Sequence, residues 1–362
     1  MDFDDRYGWT DRLLHRVAFR LGIAQRTLAD VEATLYRDAL QAVSVDAPVF
    51  LTSLPRAGTT ILLRLLWRTE RFATHTYRDM PFVMAPMLWR RVAGGGAEGP
   101  ARERAHGDGL EISERSPEAF EEMVWKHFWP AHYRTNSIRP WRSGDSNPEF
   151  DAFFERHMRK VLALHRNDTG AEDPDGRPRR YLSKNNLNIA RLAAPPPGLR
   201  RGTFLVPFRD PVQQAASMHR QHRRFLQLHE DDDFVREYME AIGHHEFGKG
   251  LKPVNFGGWL DEEPGTPDAL AFWVRYWRAA YRFVLEHAPD TAVLVSYRRL
   301  TEAPERALTA LSEALGLPAE PLTAQAEALR PPRTHPVEDD LPPSLRRDAE
   351  AVYEALDERA DV

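Results

Sequence analysis

Residues 53–60 read Ser-Leu-Pro-Arg-Ala-Gly-Thr-Thr and place an arginine, a glycine and two threonines directly after a short apolar run. The apolar run at residues 48–54 predicts a buried strand, and the leucine spacing within residues 58–70 predicts a helix. A strand, a glycine-containing turn and a helix in this order point backbone amides at an anion. The sequence therefore predicts a P-loop-like turn that binds a phosphate or a sulfate group.

This turn differs from the Walker A loop, G-x-x-x-x-G-K-[ST], whose lysine reaches the β- and γ-phosphates of a nucleotide. Gly58, Thr59 and Thr60 occupy the G-K-[ST] positions, so a threonine stands where the lysine belongs. Ser53 replaces the first glycine. The helix N-terminus can still bind an anion, but the main charge for a γ-phosphate is missing. Taken alone, the same residues also fit an ordinary strand-to-helix turn capped by threonine.

Two further strands are predicted to end in basic residues. One strand, at residues 180–184, ends at Lys184, and the other, at residues 203–209, ends at Arg209. Ser217 follows Arg209 by eight residues, and an arginine and a serine so placed across a strand-to-helix junction can both reach one phosphate. The alternatives are that Arg209 pairs with a local carboxylate and that Lys184 is a solvated loop lysine. Only five of the 49 basic residues are lysines, so a lysine at a strand end is conspicuous.

The short apolar strands alternate with helices, which predicts an α/β fold with a mostly parallel central sheet flanked by helices and interrupted by helical insertions. Ligands bind such sheets beyond the carboxyl ends of the strands, so the strand ends named above should converge on one crevice. We expect a single domain: an N-terminal helical segment at 1–45, a core at 46–318 with helical insertions at about 80–165 and 218–288, and a tail at 319–362 with a short helix near 349–360.

Bulk composition excludes several classes of function. Hydrophobic residues make up 42% and charged residues 28% of the 362 residues, as in ordinary globular proteins, and the net charge of −5 gives no general attraction to nucleic acid. Without cysteine there is no disulfide, no thiolate metal site and no cysteine nucleophile. The acidic N-terminus does not match a signal peptide, and no apolar run approaches the roughly 20 residues of a membrane span. These features predict a cytoplasmic protein.

Four segments resemble the sulfotransferase superfamily that uses 3′-phosphoadenosine-5′-phosphosulfate (PAPS), most closely its bacterial members. Leu54–Thr60 is similar to the family's 5′-phosphosulfate loop, L-P-R-S-G-T-T, with Ala57 in place of the serine. Phe208–Ser217 is similar to its 3′-phosphate motif, Ser183–Asn186 to its lysine-bearing strand end, and Ser296–Glu305 to its Y-E-D-L-x-x-x-P-E segment. The resemblance covers about residues 45–318. The R-K-G-x-x-G segment of animal cytosolic members is absent.

The resemblance implies a PAPS-dependent enzyme that moves a sulfuryl group to a hydroxyl or amine of a small molecule or carbohydrate, without a metal. The 5′-phosphosulfate would be held by a set of loop residues: Arg56, Ala57, Gly58, Thr59 and Thr60. Arg209 and Ser217 would hold the 3′-phosphate. Lys184 and Arg56 would stabilise charge on the bridging and leaving oxygens, as sulfuryl transfer requires.

The acceptor hydroxyl also needs a general base. Many bacterial relatives carry a carboxylate roughly twenty residues past the loop, which implies Asp79 as the base. Asp79 also fits the cap of a following helix, because aspartate is a good capping residue. His106, in the polar segment His-Gly-Asp-Gly, is the second candidate.

Other interpretations stay open at this point. A P-loop nucleoside kinase or triphosphatase, and a non-catalytic nucleotide-binding protein of the same fold, both fit an anion-binding loop. The aromatic residues at 125–133 are typical of either a helix core or an acceptor pocket. His244-His-Glu246 and His219 with His222 have loose metal-like spacing, but no further ligands are placed. The sequence leaves a homo-oligomer open.

Overall fold

The computed structural model describes residues 9–20, 22–93, 102–103, 111–112, 116–169, 176–331, 334, 337 and 341–362. Its strands are β1 Val49–Leu51, β2 Phe72–Ala73, β3 Arg102–Glu103, β4 Glu111–Ile112, β5 Arg180–Lys184, β6 Thr203–Phe208 and β7 Val293–Ser296. Its α-helices are α1 Trp9–Arg20, α2 Gly22–Leu35, α3 Arg37–Gln41, α4 Thr59–Trp67, α5 Pro86–Ala93, α6 Glu122–Phe128, α7 Pro148–Thr169, α8 Pro197–Arg200, α9 Pro211–Asp231, α10 Asp233–Ala241, α11 Leu270–His287, α12 Tyr297–Glu302, α13 Pro304–Leu315, α14 Glu320–Thr323 and α15 Pro343–Arg359. Short 3₁₀ helices lie at Tyr77–Asp79, Pro130–His132, Asn186–Arg191, Gly248–Gly250, Phe256–Asp261 and Ala326–Ala328.

Five strands form one parallel sheet in the order β2-β5-β1-β6-β7. β1 lies at the centre, with β5 on one side and β6 on the other. Helices flank the sheet, so the predicted fold class is confirmed. Because all five strands run in the same direction, the turns that follow β1, β5, β6 and β7 lie at one edge of the sheet. A separate antiparallel pair joins β3 and β4.

Both faces of the sheet are buried, which explains why its strands are apolar runs rather than alternating ones. Phe50 and the even-numbered residues of β6 pack into one hydrophobic cluster, whereas Val49, Leu51 and Leu205 pack into another. This separation follows from the period of two in a strand, since successive side chains point to opposite faces. The aromatic residues of α6 belong to the first cluster, so the core interpretation of that segment fits the structure.

The residues after Lys184 form the 3₁₀ helix Asn186–Arg191, whose first turn is capped by the Asn185 side chain accepting from the Leu187 amide at 3.1 Å. One element differs from the sequence-based expectations. The tail was expected to carry a short helix near 349–360, but α15 begins earlier, at Pro343. Proline is favoured in the first turn of a helix, so it starts this helix rather than preceding it.

The last described residues pair with the outer side of β7. The Val362 carbonyl accepts from the Ser296 amide at 2.8 Å, and the Asp361 side chain accepts from the Leu294 amide at 2.9 Å. These hydrogen bonds occupy part of the outer side of the edge strand β7. Among the described residues, every helix is too short or too polar to cross a bilayer.

A buried ion pair ties the turn after β5 to α6. Arg191 and Glu122 make hydrogen bonds of 2.9 to 3.1 Å, and both side chains are almost inaccessible to water. The guanidinium carbon of Arg191 lies 3.7 Å from the ring centroid of Trp125 and 4.3 Å from that of Trp141. A charge between two indole rings gains cation–π attraction, which offsets part of its lost hydration.

We predict that Arg191→Met lowers the free energy of unfolding by about 3–5 kcal/mol, because it leaves the Glu122 carboxylate buried without its partner. Urea denaturation monitored by tryptophan fluorescence measures this change. Arg236→Met is the matched control, since Arg236 pairs with Asp233 at 3.3 Å in an exposed position and should lose at most about 1 kcal/mol. Equal losses in the two variants would contradict the prediction.

Candidate functional site

The loop between β1 and α4 adopts a strained backbone. Arg56 has φ of 71° and Gly58 has φ of 101°, both in the left-handed region. A non-glycine residue costs about 1 kcal/mol or more there, and such strain persists where the surrounding structure imposes it, often at functional sites. The loop delivers the chain into α4 at Thr59, and the first amides of a helix have no acceptor within the helix. Thr59 and Thr60 line a cleft, so these amides lie at its wall.

Glycine is required at position 58 for a second reason. A Cβ atom there would lie 2.5 Å from Cδ2 of Tyr297, the first residue of α12. The tyrosine ring therefore packs directly against the loop backbone. Any larger residue at position 58 would have to displace this ring in addition to adopting the left-handed conformation.

Gln214 contacts the loop from the protein interior. Its Nε2 donates to the carbonyls of Leu54 and Pro55, at 3.3 and 3.0 Å. Its Oε1 accepts from the indole N–H of Trp277 at 3.0 Å, and because an indole can only donate, the orientation of the amide is fixed. Gln214 is fully buried on α9, and Trp277 lies on α11. These two helices therefore fix the position of the loop backbone.

A serine–tyrosine pair completes this support. Ser53 Oγ donates to the Pro207 carbonyl at 2.6 Å and lies 2.7 Å from the hydroxyl of Tyr281. Burial raises the pKa of Tyr281, so its hydroxyl stays protonated and available for hydrogen bonding. Ser53 is the residue that replaces the first glycine of a Walker loop. Its hydroxyl anchors the loop to β6.

The loop and the second predicted motif meet in space. Arg56 Nε donates to Ser217 Oγ at 3.2 Å, although the two residues are 161 positions apart. Arg209 follows the last residue of β6 and lies within electrostatic range of both Arg56 and Tyr297. Partial burial lowers the pKa of the Arg209 guanidinium, which nonetheless remains a cation at physiological pH. The structure thus brings the predicted 5′- and 3′-phosphate residues together.

Lys184 lies on the same cleft. It is the last residue of β5 and only 7% exposed. The neighbouring backbone is tied to β1, since the Asn185 amide donates to the Leu51 carbonyl at 2.9 Å and Thr52 Oγ1 donates to the Asn186 carbonyl at 3.1 Å. Lys184 Nζ lies 3.6 Å from Oε1 of Glu118.

Three segments line this cleft together with Ala119 and Glu122. The loop and the start of α4 contribute Pro55, Arg56, Thr59 and Thr60, the end of β5 and the turn after it contribute Lys184, Asn185, Asn186 and Leu187, and the turn after α10 contributes Gly243, His244, Glu246 and Phe247. Arg209 and Ser217 are not among the lining residues. The cations Arg56 and Lys184 therefore share one cleft with carboxylates, amides and an imidazole.

Asp79 is not among the cleft residues. It is 1% exposed, its Oδ1 accepts from Arg90 Nε at 2.9 Å, and its Oδ2 accepts from the Thr76 amide at 3.0 Å and lies 2.8 Å from His75 Nδ1. Burial alone would raise the pKa of this carboxyl, but Arg90, His75 and the Thr76 amide together outweigh burial and lower the pKa. Asp79 is the last residue of the 3₁₀ helix Tyr77–Asp79, and it accepts from the Thr76 amide at the start of that helix rather than capping a following helix. Its contacts make Asp79 a weak base. No observation tests its catalytic role, which stays a prediction.

The hydrogen bonds of Asp79 continue into a histidine pair. His75 Nε2 lies 2.8 Å from His157 Nε2. Because Asp79 accepts from His75 Nδ1–H, a neutral His75 has a lone pair on Nε2, so His157 must donate from its own Nε2. Burial lowers the pKa of His157 well below its usual value and keeps it neutral. The second candidate base, His106, lies outside the described residues.

Sequence reasoning missed several residues of this site. Gln214, Tyr281 and Trp277 support the loop from helices whose apolar pattern predicts only core packing. Tyr297 belongs to a recognised motif, but nothing in that motif shows that the ring packs on Gly58. His244 was noted only for loose metal-like spacing. Within the described part of the chain, no group of three or more histidine, aspartate or glutamate side chains is placed to hold a metal ion.

We predict that Asp79→Asn lowers the free energy of unfolding by about 3–5 kcal/mol at pH 7, because an amide cannot replace the charge that faces Arg90. The contribution of a carboxylate with a lowered folded-state pKa is present above its unfolded pKa of about 4 and is lost as the pH falls towards the folded value. The difference between wild type and variant in chemical denaturation should therefore shrink below about pH 4. Asp30→Asn is the matched control, since Asp30 is 56% exposed in its ion pair.

Similarity to known proteins is confined to structure. No family model matches the sequence, and no curated protein matches it. The crystal structure of sulfotransferase STF9 from Mycobacterium avium matches with a TM-score of 0.51 and 12% identity, covering 93% of this chain and 82% of that chain. Sulfotransferase STF1 from Mycobacterium tuberculosis H37Rv matches with a TM-score of 0.47 and 15% identity, covering 95% and 85%. The likeness to STF9 shows that this chain has the fold of a bacterial sulfotransferase.

Proposed function

We propose that this protein is an enzyme that transfers a sulfuryl group from PAPS to a hydroxyl or amine of a small molecule or carbohydrate. The observation that carries this proposal is the 3.2 Å hydrogen bond between Arg56 and Ser217. It joins a loop suited to one anionic group with a motif suited to another. A nucleotide with phosphate groups on both its 3′ and 5′ positions needs two such sites side by side.

The residues present fit this donor. The left-handed turn at Arg56 and Gly58 and the N-terminus of α4 supply amides for the 5′-phosphosulfate. The hydroxyls of Thr59 and Thr60 would add hydrogen bonds to it. Arg209 and Ser217 would hold the 3′-phosphate, since charge-assisted hydrogen bonds from arginine are well suited to phosphate oxygens.

Lys184 and Arg56 would stabilise the charge that develops on the oxygens around the transferred group. In a cleft with little water such cations act more strongly than in bulk solvent, and they cost no reorganisation when they are already in place. The Glu118 carboxylate near Lys184 limits the movement of the ammonium group. Asp79 faces a different set of partners, Arg90 and His75, away from these cations.

We predict that adenosine 3′,5′-bisphosphate raises the melting temperature of the protein. Saturation at about 100 times the dissociation constant stabilises the folded state by about 2.7 kcal/mol. Arg209→Ala and Ser217→Ala should each weaken binding, by about 10- to 100-fold for the charged contact. Isothermal titration calorimetry measures the affinities.

Arg223→Ala is the control, because Arg223 lies exposed on the same helix. Unchanged affinity in both test variants would remove the 3′-phosphate assignment. Tighter binding of ATP than of adenosine 3′,5′-bisphosphate would instead favour a nucleoside kinase or triphosphatase. Nucleotide binding without sulfate transfer to any acceptor or to water would indicate a non-catalytic protein.

We predict that Lys184→Ala lowers the rate of sulfate transfer by about 10²- to 10³-fold, because the variant loses a cation that acts mainly in the transition state. Affinity for adenosine 3′,5′-bisphosphate should stay within a few-fold of wild type. Rates can be followed with radiolabelled PAPS and water or a panel of hydroxyl and amine acceptors. Lys249→Ala, an exposed lysine variant, should match wild type. A normal rate in Lys184→Ala would exclude this role.

A further inference from the structure

We propose that His244 is the catalytic base that takes the proton from the acceptor. The inference rests on the proposed function, because it assigns a role within the same transfer reaction. His244 lies in the turn between α10 and the 3₁₀ helix Gly248–Gly250, and it lines the cleft that Arg56 and Lys184 also line.

The backbone brings this turn close to α6. Gly243 has φ of 80°, and a Cβ atom on it would lie 2.6 Å from Cγ of Glu122. Only glycine fits both the conformation and the space. The close approach places the next residue, His244, against the beginning of α6 and therefore on the cleft wall.

The tautomer of His244 is set by one hydrogen bond. Its Nε2 lies 3.0 Å from the carbonyl oxygen of Ala119, which can only accept. The proton of the neutral ring is therefore on Nε2, and the lone pair is on Nδ1. Nδ1 makes no hydrogen bond to any described residue and is not among the fully buried polar atoms. General base catalysis needs an imidazole that is held by a hydrogen bond at one nitrogen and has an accessible lone pair on the other.

The same short segment positions His244 and Lys184. Glu118 Oε1 lies 3.6 Å from Lys184 Nζ and accepts from the Ala119 amide at 2.9 Å, while Tyr77 holds Oε2 at 2.7 Å. The carbonyl of Ala119 then holds the imidazole. Two adjacent residues thus position the cation for the leaving oxygen and the base for the acceptor.

The carboxylates that line the cleft are less suited to this role. Glu122 is 3% exposed, and both of its oxygens already accept from Arg191. Glu246 Oε1 accepts from Asn186 Nδ2 at 3.2 Å, whereas its second carboxylate oxygen makes no hydrogen bond to a described residue. Glu246 is therefore the alternative base that the experiment must distinguish from His244. The titratable groups around His244 are Glu122, Lys126, Lys184, His245, Glu246 and Lys252. Burial lowers the pKa of His245 to about 3, so that neighbour stays neutral at physiological pH.

The reaction balances with these groups. The acceptor oxygen forms a bond to the sulfur as the bond from sulfur to the bridging phosphate oxygen breaks. The acceptor proton moves to Nδ1 of His244, and Lys184 stabilises the charge left on the phosphate oxygen. The products are the sulfated acceptor and adenosine 3′,5′-bisphosphate, and the imidazolium then releases its proton to solvent.

The test uses water as the acceptor, so no acceptor needs to be known. We expect His244→Gln to lower the rate of sulfate release from PAPS by about 10²- to 10⁴-fold and to remove the acid-side fall of the pH–rate profile. Histidine bases in general titrate near pH 6.5 and carboxylates near pH 4, so the position of that fall identifies the class of base. Added imidazole should restore part of the rate of His244→Ala. His287→Gln, which removes an exposed histidine, is the control.

The outcomes separate the two proposals. If wild type gains no stability from adenosine 3′,5′-bisphosphate, or transfers sulfate from PAPS neither to water nor to any acceptor of the panel, the proposed function fails and His244 has no such role. If wild type is active and His244→Gln keeps its rate, the assignment of the base is overturned. A lower rate with an unchanged pH profile and no rescue by imidazole would also overturn it, because that result indicates a structural role. Loss of the acid-side fall in Glu246→Gln would transfer the role to Glu246.

Discussion

The side-chain amide of Gln214 is the interaction on which the rest of the site depends. It donates to the carbonyls of Leu54 and Pro55 and accepts from Trp277. One buried amide thus gives a hydrogen-bond partner to the two loop carbonyls that point into the protein. If those carbonyls were left without a donor, each would cost about 1–3 kcal/mol. With them satisfied, the opposite side of the loop can keep its amides for an anion. The hydrogen bonds from Gln214 hold the loop in the conformation that keeps Arg56 at a positive φ.

The cleft joins two parts of the chain with different origins in the fold. One part of the lining comes from the turns that follow strands of the parallel sheet, whose positions are fixed by the strand register. The other part comes from α6 and from the turn after α10, which lie in helical segments outside the sheet. Glu118 and Ala119 connect the two parts through Lys184 and His244. The buried pair of Glu122 and Arg191 holds α6 in place behind them.

Sequence alone predicted the elements that depend on local pattern. The bounds of β5 agree with expectation, and the loop, Lys184, Arg209 and Ser217 lie in the neighbourhood that parallel strand order implies. Local sequence patterns do not predict contacts between segments that are far apart in the chain. Asp79 is a carboxylate at the expected number of residues past the loop. Its two oxygens are nevertheless bound by Arg90 and His75. The role of His244 depends on a carbonyl 125 residues away, which no spacing in the sequence reveals.

The pairing of residues 361 and 362 with β7 has a consequence for the behaviour of the chain in concentrated solution. An open edge strand exposes a row of amides and carbonyls that can pair with another molecule and seed aggregation. Here the free side of β7 is already hydrogen-bonded within the chain, and the opposite edge, β2, is only two residues long. Both edges of the sheet are thus poor templates for intermolecular strand addition.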